Sequence, residues 1–239
     1  MNYILRTGVI SLIIQVFTAV FDIYVLTLKY SPKMNIIKGL LWIELIVQLV
    51  EGIFYTWLVI NFSKITNITP YRYYDWIITT PSMLFSYSMY LVYLNITTLE
   101  EKQEKYENQG KQEAESVSTK TLYDLAVENS PILVPIFILN TLMLLFGYLA
   151  EIGKLSSIMG AFFGFVPFVA MFYLIYDNYA KYTQLGRMTF YYFSGIWSLY
   201  GFASVLSYKY KNSIYNILDL LAKNFFGIFL GAVLIMSRK

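Results

Sequence analysis

Seven apolar stretches, each about 20 residues or longer and each closed by charge, proline or glycine, constrain this chain more than any other feature. They run over residues 5–28, 37–61, 69–94, 131–151, 157–177, 186–207 and 214–236. As a helix, a stretch of that length crosses the roughly 30 Å hydrocarbon core of a bilayer. Lipid offers no partner to a backbone N–H or C=O, so such stretches span as helices that satisfy their own hydrogen bonds. The pattern therefore predicts an all-α fold: one seven-helix domain over residues 1–239, embedded in a lipid bilayer as a multi-pass protein. Composition agrees, with 57% apolar and only 14% charged residues, where soluble domains carry about 45–50% apolar residues. The N-terminal stretch has no basic leader or cleavage site and reads as the first span rather than a removable signal.

Several function classes fall away. A net charge of +3 is too small to imply a nucleic-acid partner. The chain has no cysteine and no histidine, which removes thiolate chemistry, the commonest metal ligand and the commonest general base. No metal site and no enzymatic activity are expected. Any proton or ion chemistry falls to carboxylates, lysine and hydroxyls.

Only one connection is long, residues 97–130. It contains the charged run EEKQEKYENQGKQEAE, which does not enter a bilayer and reads as a solvated loop or short helix. Lys29, Lys33, Lys38, Lys181, Arg187, Arg238 and Lys239 fall on the same side as this loop. The excess of positive charge puts that side in the cytoplasm, with the N-terminus outside and the C-terminus cytoplasmic.

Few ionisable residues lie inside the spans: Asp22, Glu44, Glu51, Arg72, Asp75, Asp219 and Lys223. Charge in hydrocarbon is costly, about 2.5–3.5 kcal/mol on insertion scales, and such residues face the bundle interior. Asp22 lies near the end of its span and is expected to reach water. In the third span, Asp75, Thr79, Ser82 and Ser86 share a helical face, with Arg72 in pairing range of Asp75. Pro81 interrupts that span, and Thr79 and Thr80 are placed to satisfy the carbonyls it frees. In the second span, Glu44, Gln48 and Glu51 form a polar stripe about 10 Å long. Two carboxylates on one helix do not help a bundle pack, and a wet pathway explains them better. Ser11, Gln15, Asn216 and Asn224 are further interior polar groups. Lys223 stands one turn after Asp219 and has two readings. It is either half of a structural ion pair, or a buried amine able to condense with an aldehyde.

At this point a family pattern emerges. Arg72-Tyr73-Tyr74-Asp75-Trp76-Ile77-Ile78-Thr79-Thr80-Pro81 resembles the third-helix signature of microbial (type 1) rhodopsins, and Asp219-Leu220-Leu221-Ala222-Lys223-Asn224 resembles their seventh-helix attachment motif. Trp197 and Tyr200 are spaced as in the family's sixth-helix pocket, with Gly201 in place of its proline. Asn140, Met143 and Gly147 match a pocket-lining pattern of the fourth helix. The resemblance implies all-trans retinal bound covalently to Lys223 as a protonated Schiff base. It also implies counterions Asp75 and Asp219, an organising Arg72, and an aromatic cage of Tyr73, Trp76, Trp197 and Tyr200.

Outward proton pumps of this family usually carry a carboxylic acid where this chain has Ser86, and a hydroxyl is a poor donor near neutral pH. The set Ser11, Glu44, Glu51, Arg72, Asp75, Asn216, Asp219 and Asn224 resembles the pore constellation of group 1 viral rhodopsins. The resemblance therefore implies a light-gated cation channel passing sodium, potassium and protons, opened when the Schiff base gives its proton to the Asp75/Asp219 cluster. An outward proton pump and a sensory rhodopsin stay open as alternatives, as does assembly into a homo-oligomer.

Overall fold

A computed structural model describes residues 2–107 and 120–238, with side chains of 101–107 excepted. Among the described residues all regular structure is helical. The spans are α1 (Tyr3–Thr27), α2 (Asn35–Asn61), α3 (Thr69–Glu107), α5 (Ser130–Glu151), α6 (Ser157–Asn178), α7 (Gln184–Ser204) and a composite last span. A short α4 (Leu122–Glu128) precedes α5. The last span is α8 (Tyr208–Asp219), a π turn (Leu220–Asn224) and α9 (Phe225–Met236). The result is a seven-helix bundle whose consecutive spans alternate in direction. We call the end bearing Tyr3, Asn61 and Tyr208 the N-face, and the opposite end the C-face.

Local chemistry sets the helix starts. Asn2 caps α1 by accepting from the Ile4 N–H at 3.1 Å, Ser156 caps α6 through Met159 at 3.2 Å, and Thr183 caps α7 through Gly186 at 2.9 Å. These side-chain acceptors satisfy N–H groups that a first turn leaves without intrahelical partners. Pro131 stands in the first turn of α5, where its missing N–H costs nothing.

The bundle is inside-out relative to a soluble protein. Phe17, Ile158, Phe162, Leu49 and Met236 point outward. Ser11, Gln15, Glu44, Glu51, Arg72, Asn216, Asp219 and Lys223 are buried. Outward apolar surface and an internal polar seam are what a bilayer solvent selects. Six of the spans are long and apolar enough to cross a membrane by length and composition. The helix α7 is more polar, with Arg187, Thr189 and several tyrosines and serines among its 21 residues.

Three expectations are corrected. The third span runs on well past residue 94, reaching Glu107. The long connection of 97–130 is therefore helical at both ends, in α3 and α4, and its middle, 108–119, lies outside the described residues. Asp22 does not reach water: it is fully buried and accepts from Gln48 Nε2 at 2.5 Å. Thr79 and Thr80 donate to the carbonyls of Asp75 (3.1 Å) and Trp76 (2.7 Å), not to that of Ile77, which Pro81 leaves without an N–H. Each hydroxyl here reaches back four residues along its own helix, so Thr79 falls two residues and Thr80 one residue short of the gap.

Candidate functional site

The seventh span carries a repeating polar face: Asn212, Asn216 and Asp219 at intervals of four and three, then the π turn. The π turn inserts an extra residue per turn and holds Lys223 buried in the bundle interior. Its Nζ donates to Asp75 Oδ2 at 2.8 Å and lies 3.4 Å from Glu51 Oε1 and 3.7 Å from Asp219 Oδ1. Three helices thus bring three carboxylates to one amine. The sequence placed Asp75 and Asp219 beside Lys223 but set Glu51 apart in a pathway. One helix's period fixes a face without saying which faces meet.

On the N-face side of Lys223 the polar groups are densely paired. Arg72 is completely buried. Its Nη1 is 3.4 Å from Asp219 Oδ2, its Nε donates to Asn212 Oδ1 at 3.0 Å, and its Nη2 donates to Asn216 Oδ1. Its guanidinium also sits over the rings of Phe54 (5.5 Å) and Tyr215 (5.6 Å), a favourable placement for a cation. Asp219 accepts from Tyr55 Oη at 2.7 Å and from Tyr200 Oη at 2.8 Å. Asn216 Nδ2 ties this cluster to α1 through Thr7 Oγ1 (2.8 Å) and the Ile4 carbonyl (3.0 Å), and Ser11 Oγ donates to the Asn216 carbonyl at 3.2 Å. Arg72 was expected to pair with Asp75. It pairs with Asp219 instead, and Lys223 takes Asp75.

Charge does not balance within this cluster. Arg72 and Lys223 face Asp75, Asp219 and Glu51, and neither Glu51 oxygen accepts a hydrogen bond. One surplus carboxylate in a buried cluster calls for a proton, water or a further cation.

Toward the C-face the polar groups thin out. Glu44 is fully buried with both oxygens unpartnered, and Ser86 Oγ is likewise buried and unpartnered. Gln48 holds Asp22, and Asn224 Nδ2 donates to Thr18 Oγ1 at 3.2 Å. Ser82, expected on the same face as Ser86, is only half-buried and donates to the Ile78 carbonyl at 2.9 Å.

Beside the amine lies a cleft with mostly apolar and aromatic walls, the kind of lining that takes a small apolar ligand. Lys223 lines one end, and Glu151, Ser157 and Ser204 line the other. Tyr73, Trp76, Thr80, Met143, Gly147, Trp197 and Tyr200 form walls, together with Met83, Leu144, Phe165, Phe168 and Tyr215, which the sequence reading missed. Trp76 meets Tyr200 and Tyr215 edge-on at 5.6 and 5.1 Å, a preferred geometry for aromatic pairs. Asn140 stands behind the wall, donating to Thr80 Oγ1 at 2.9 Å, and Thr79 is turned toward its own helix. A methyl at Gly147 would stand 2.5 Å from Tyr73 Oη, so the glycine makes room for that wall. At Gly201 the Phe165 ring lies 2.5 Å from where a Cβ would be, occupying the space that a side chain there would take.

An apolar slot ending on a buried amine among carboxylates fits a long polyene aldehyde. The amine Nζ stands where an imine nitrogen would be. Tyr55 and Asn212 were also missed, yet both had a signal: Tyr55 continues the stripe Glu44, Gln48, Glu51 by one turn, and Asn212 precedes Asn216 and Asp219 by one.

A family model described as bacteriorhodopsin-like protein matches residues 5–237. Among solved structures the chain is similar to viral rhodopsin OLPVRII, at 22% identity over 98% of this chain and 99% of that one, with a TM-score of 0.77. It is similar to a blue light-absorbing proteorhodopsin from Med12, at 16% identity over 99% and 98%, with a TM-score of 0.71. It is also similar to the proton-pumping rhodopsin AR2 of the marine alga Acetabularia acetabulum, at 17% identity over 100% and 98%, with a TM-score of 0.67. No curated protein matches the chain.

Proposed function

The chain belongs to the bacteriorhodopsin-like family of integral multi-pass membrane proteins, whose members carry retinal on a lysine, and from that premise we propose that it is a light-gated cation channel with all-trans retinal on Lys223. The observation that carries the attachment is the apolar cleft ending on Lys223 Nζ within 3.7 Å of three carboxylates. Retinal, when bound, supplies light absorption and a change of shape at that nitrogen.

The chain's own residues do the rest. Asp75 holds a positive nitrogen at 2.8 Å, and Asp219 and Glu51 stand ready beside it. When Asp75 takes a proton from that nitrogen, its ion pair is lost, and Asp219 is left held by Arg72, Tyr55 and Tyr200 alone. Arg72 is the plug on the N-face side, since it joins α2, α3 and α8 in one network. Loosening that network opens the seam between α1, α2 and the last span. Glu44, Gln48 and Glu51 line that seam with oxygens that accept no hydrogen bond, and an acid-lined wet path favours cations. Ser86, without a carboxyl, is no proton donor for vectorial pumping. The excess of Lys and Arg at the C-face supports an N-terminus outside and a C-terminus in the cytoplasm.

Whole-cell photocurrents with added retinal test the reading. A channel's current reverses sign as the holding voltage passes the cation reversal potential. A current that stays outward at every voltage marks a pump and overturns conduction.

A further inference from the structure

Asp22 belongs to no part of the chromophore site, yet it is completely buried. Gln48 Nε2 donates to its Oδ2 at 2.5 Å, while its Oδ1 has no partner. The amides around it are committed in one direction. Gln48 spends its nitrogen on Asp22 and Asn224 spends its nitrogen on Thr18, so the atoms left without partners are Gln48 Oε1 and Asn224 Oδ1. One turn along α2 toward the C-face, Glu44 is buried with no ion pair, and Ser86 is its neighbouring hydroxyl. Among the described residues the buried cations are engaged elsewhere, Arg72 and Lys223 with Asp219, Asp75 and Glu51, and Lys211 with Glu151. Three helices therefore present unpaired oxygens, two of them acidic groups, in a region with no ion pair to Asp22 or Glu44 among the described residues. Buried oxygens left without donors are costly, and oxygen-only sets suit hard cations.

The seventh span is shaped for this cluster. A methyl at Gly227 would come within 2.6 Å of Gln48 Nε2 and 2.7 Å of Asp22 Oδ2, whereas one at Gly231 would meet the Phe21 ring at 2.6 Å. The bare backbone of α9 is what lets the Asp22–Gln48 pair lie between α1, α2 and α9.

We propose that Asp22, Gln48, Asn224 and Glu44 form a second oxygen-lined site, on the C-face side of Lys223, that holds a hard monovalent cation such as sodium. Its place on a conduction path rests on the channel reading; its occupancy by a cation does not.

The test uses purified, retinal-loaded full-length protein in the dark. Infrared difference spectra are recorded as N-methylglucamine is exchanged for sodium. The wild type is expected to show a sodium-dependent change in its carboxylate bands, lost in Asp22→Asn and unchanged in the exposed-acid control Glu128→Gln. Gly227→Ala pushes only the ends of flexible side chains, so it keeps the fold and visible absorbance while weakening the sodium response severalfold. It serves where Asp22→Asn does not fold. No sodium-dependent change in the wild type, as expected if water alone fills the site, overturns the proposal. So does a change that survives both Asp22→Asn and Gly227→Ala. A photocurrent that fails to reverse defeats the channel reading and leaves this result standing.

Discussion

The two halves of the bundle on either side of Lys223 are built on opposite terms. On the N-face side Arg72, Asn212, Asn216, Tyr55, Tyr200 and Asp219 form a network whose members are each bonded to another. On the C-face side Asp22, Glu44, Gln48, Ser86 and Asn224 leave an oxygen each, or two, without a partner. A satisfied buried network rigidifies and locks, whereas a partly satisfied one invites water or ions. On the channel reading, the barrier belongs near Arg72 and the readily wetted region near Glu44 and Asp22.

The contrast breaks most clearly at Arg72. Arg72→Ala strips Asp219 and two asparagines of their buried cation. Removing one partner of a buried pair costs about 3–5 kcal/mol, which unfolding in mixed detergent would report as a large loss of stability. A cost under about 1 kcal/mol would mean the N-face network is no lock. Tyr55→Phe comes next, because it deletes a hydrogen bond to a charged acceptor, worth about 1.5–3 kcal/mol, while keeping the ring beside Arg72. The same assay checks it, and the loss should fall between those of Arg72→Ala and Glu44→Gln.

Glu44→Gln should have the smallest effect on folding, within about 1 kcal/mol, because its carboxyl has no ion pair to lose. Its effect belongs to conduction, where photocurrent amplitude should drop severalfold at unchanged visible absorbance. If Glu44→Gln destabilised the protein as much as Arg72→Ala, the two halves would be alike and the comparison would be wrong. Glu51→Gln sharpens the contrast at its boundary. Glu51 lies 3.4 Å from Lys223 Nζ, so its neutralisation should shift the visible band, whereas Glu44→Gln should leave the band in place.

How much of this was legible in the sequence differs between the same two halves. A charge inside an apolar span announces itself, so Arg72, Asp75, Asp219 and Lys223 stood out at once. What one span's period cannot show is which partner another span presents. Arg72 and Asp75 sit within pairing range on one helix, yet the ion pairs cross: Arg72 to Asp219 and Lys223 to Asp75. Asp22 was misread for a related reason. Its position near a helix end suggests water, and the close approach at Gly227 reveals that the last span covers it. Tyr55 was hidden by numbers, one of 23 tyrosines, though its place on the Glu44–Glu51 stripe was there to be seen. The π turn at Lys223 had no sequence signal, because Leu-Leu-Ala-Lys-Asn suits an ordinary helix equally well.

All of these contrasts take Lys223 as the dividing point because it is the proposed attachment point of the chromophore. The most direct measurement is the visible spectrum of protein supplied with all-trans retinal, wild type beside Lys223→Ala. A coloured wild type and a colourless variant of equal yield are expected. A colourless wild type, or a band that persists without the Lys223 amine, would contradict the account.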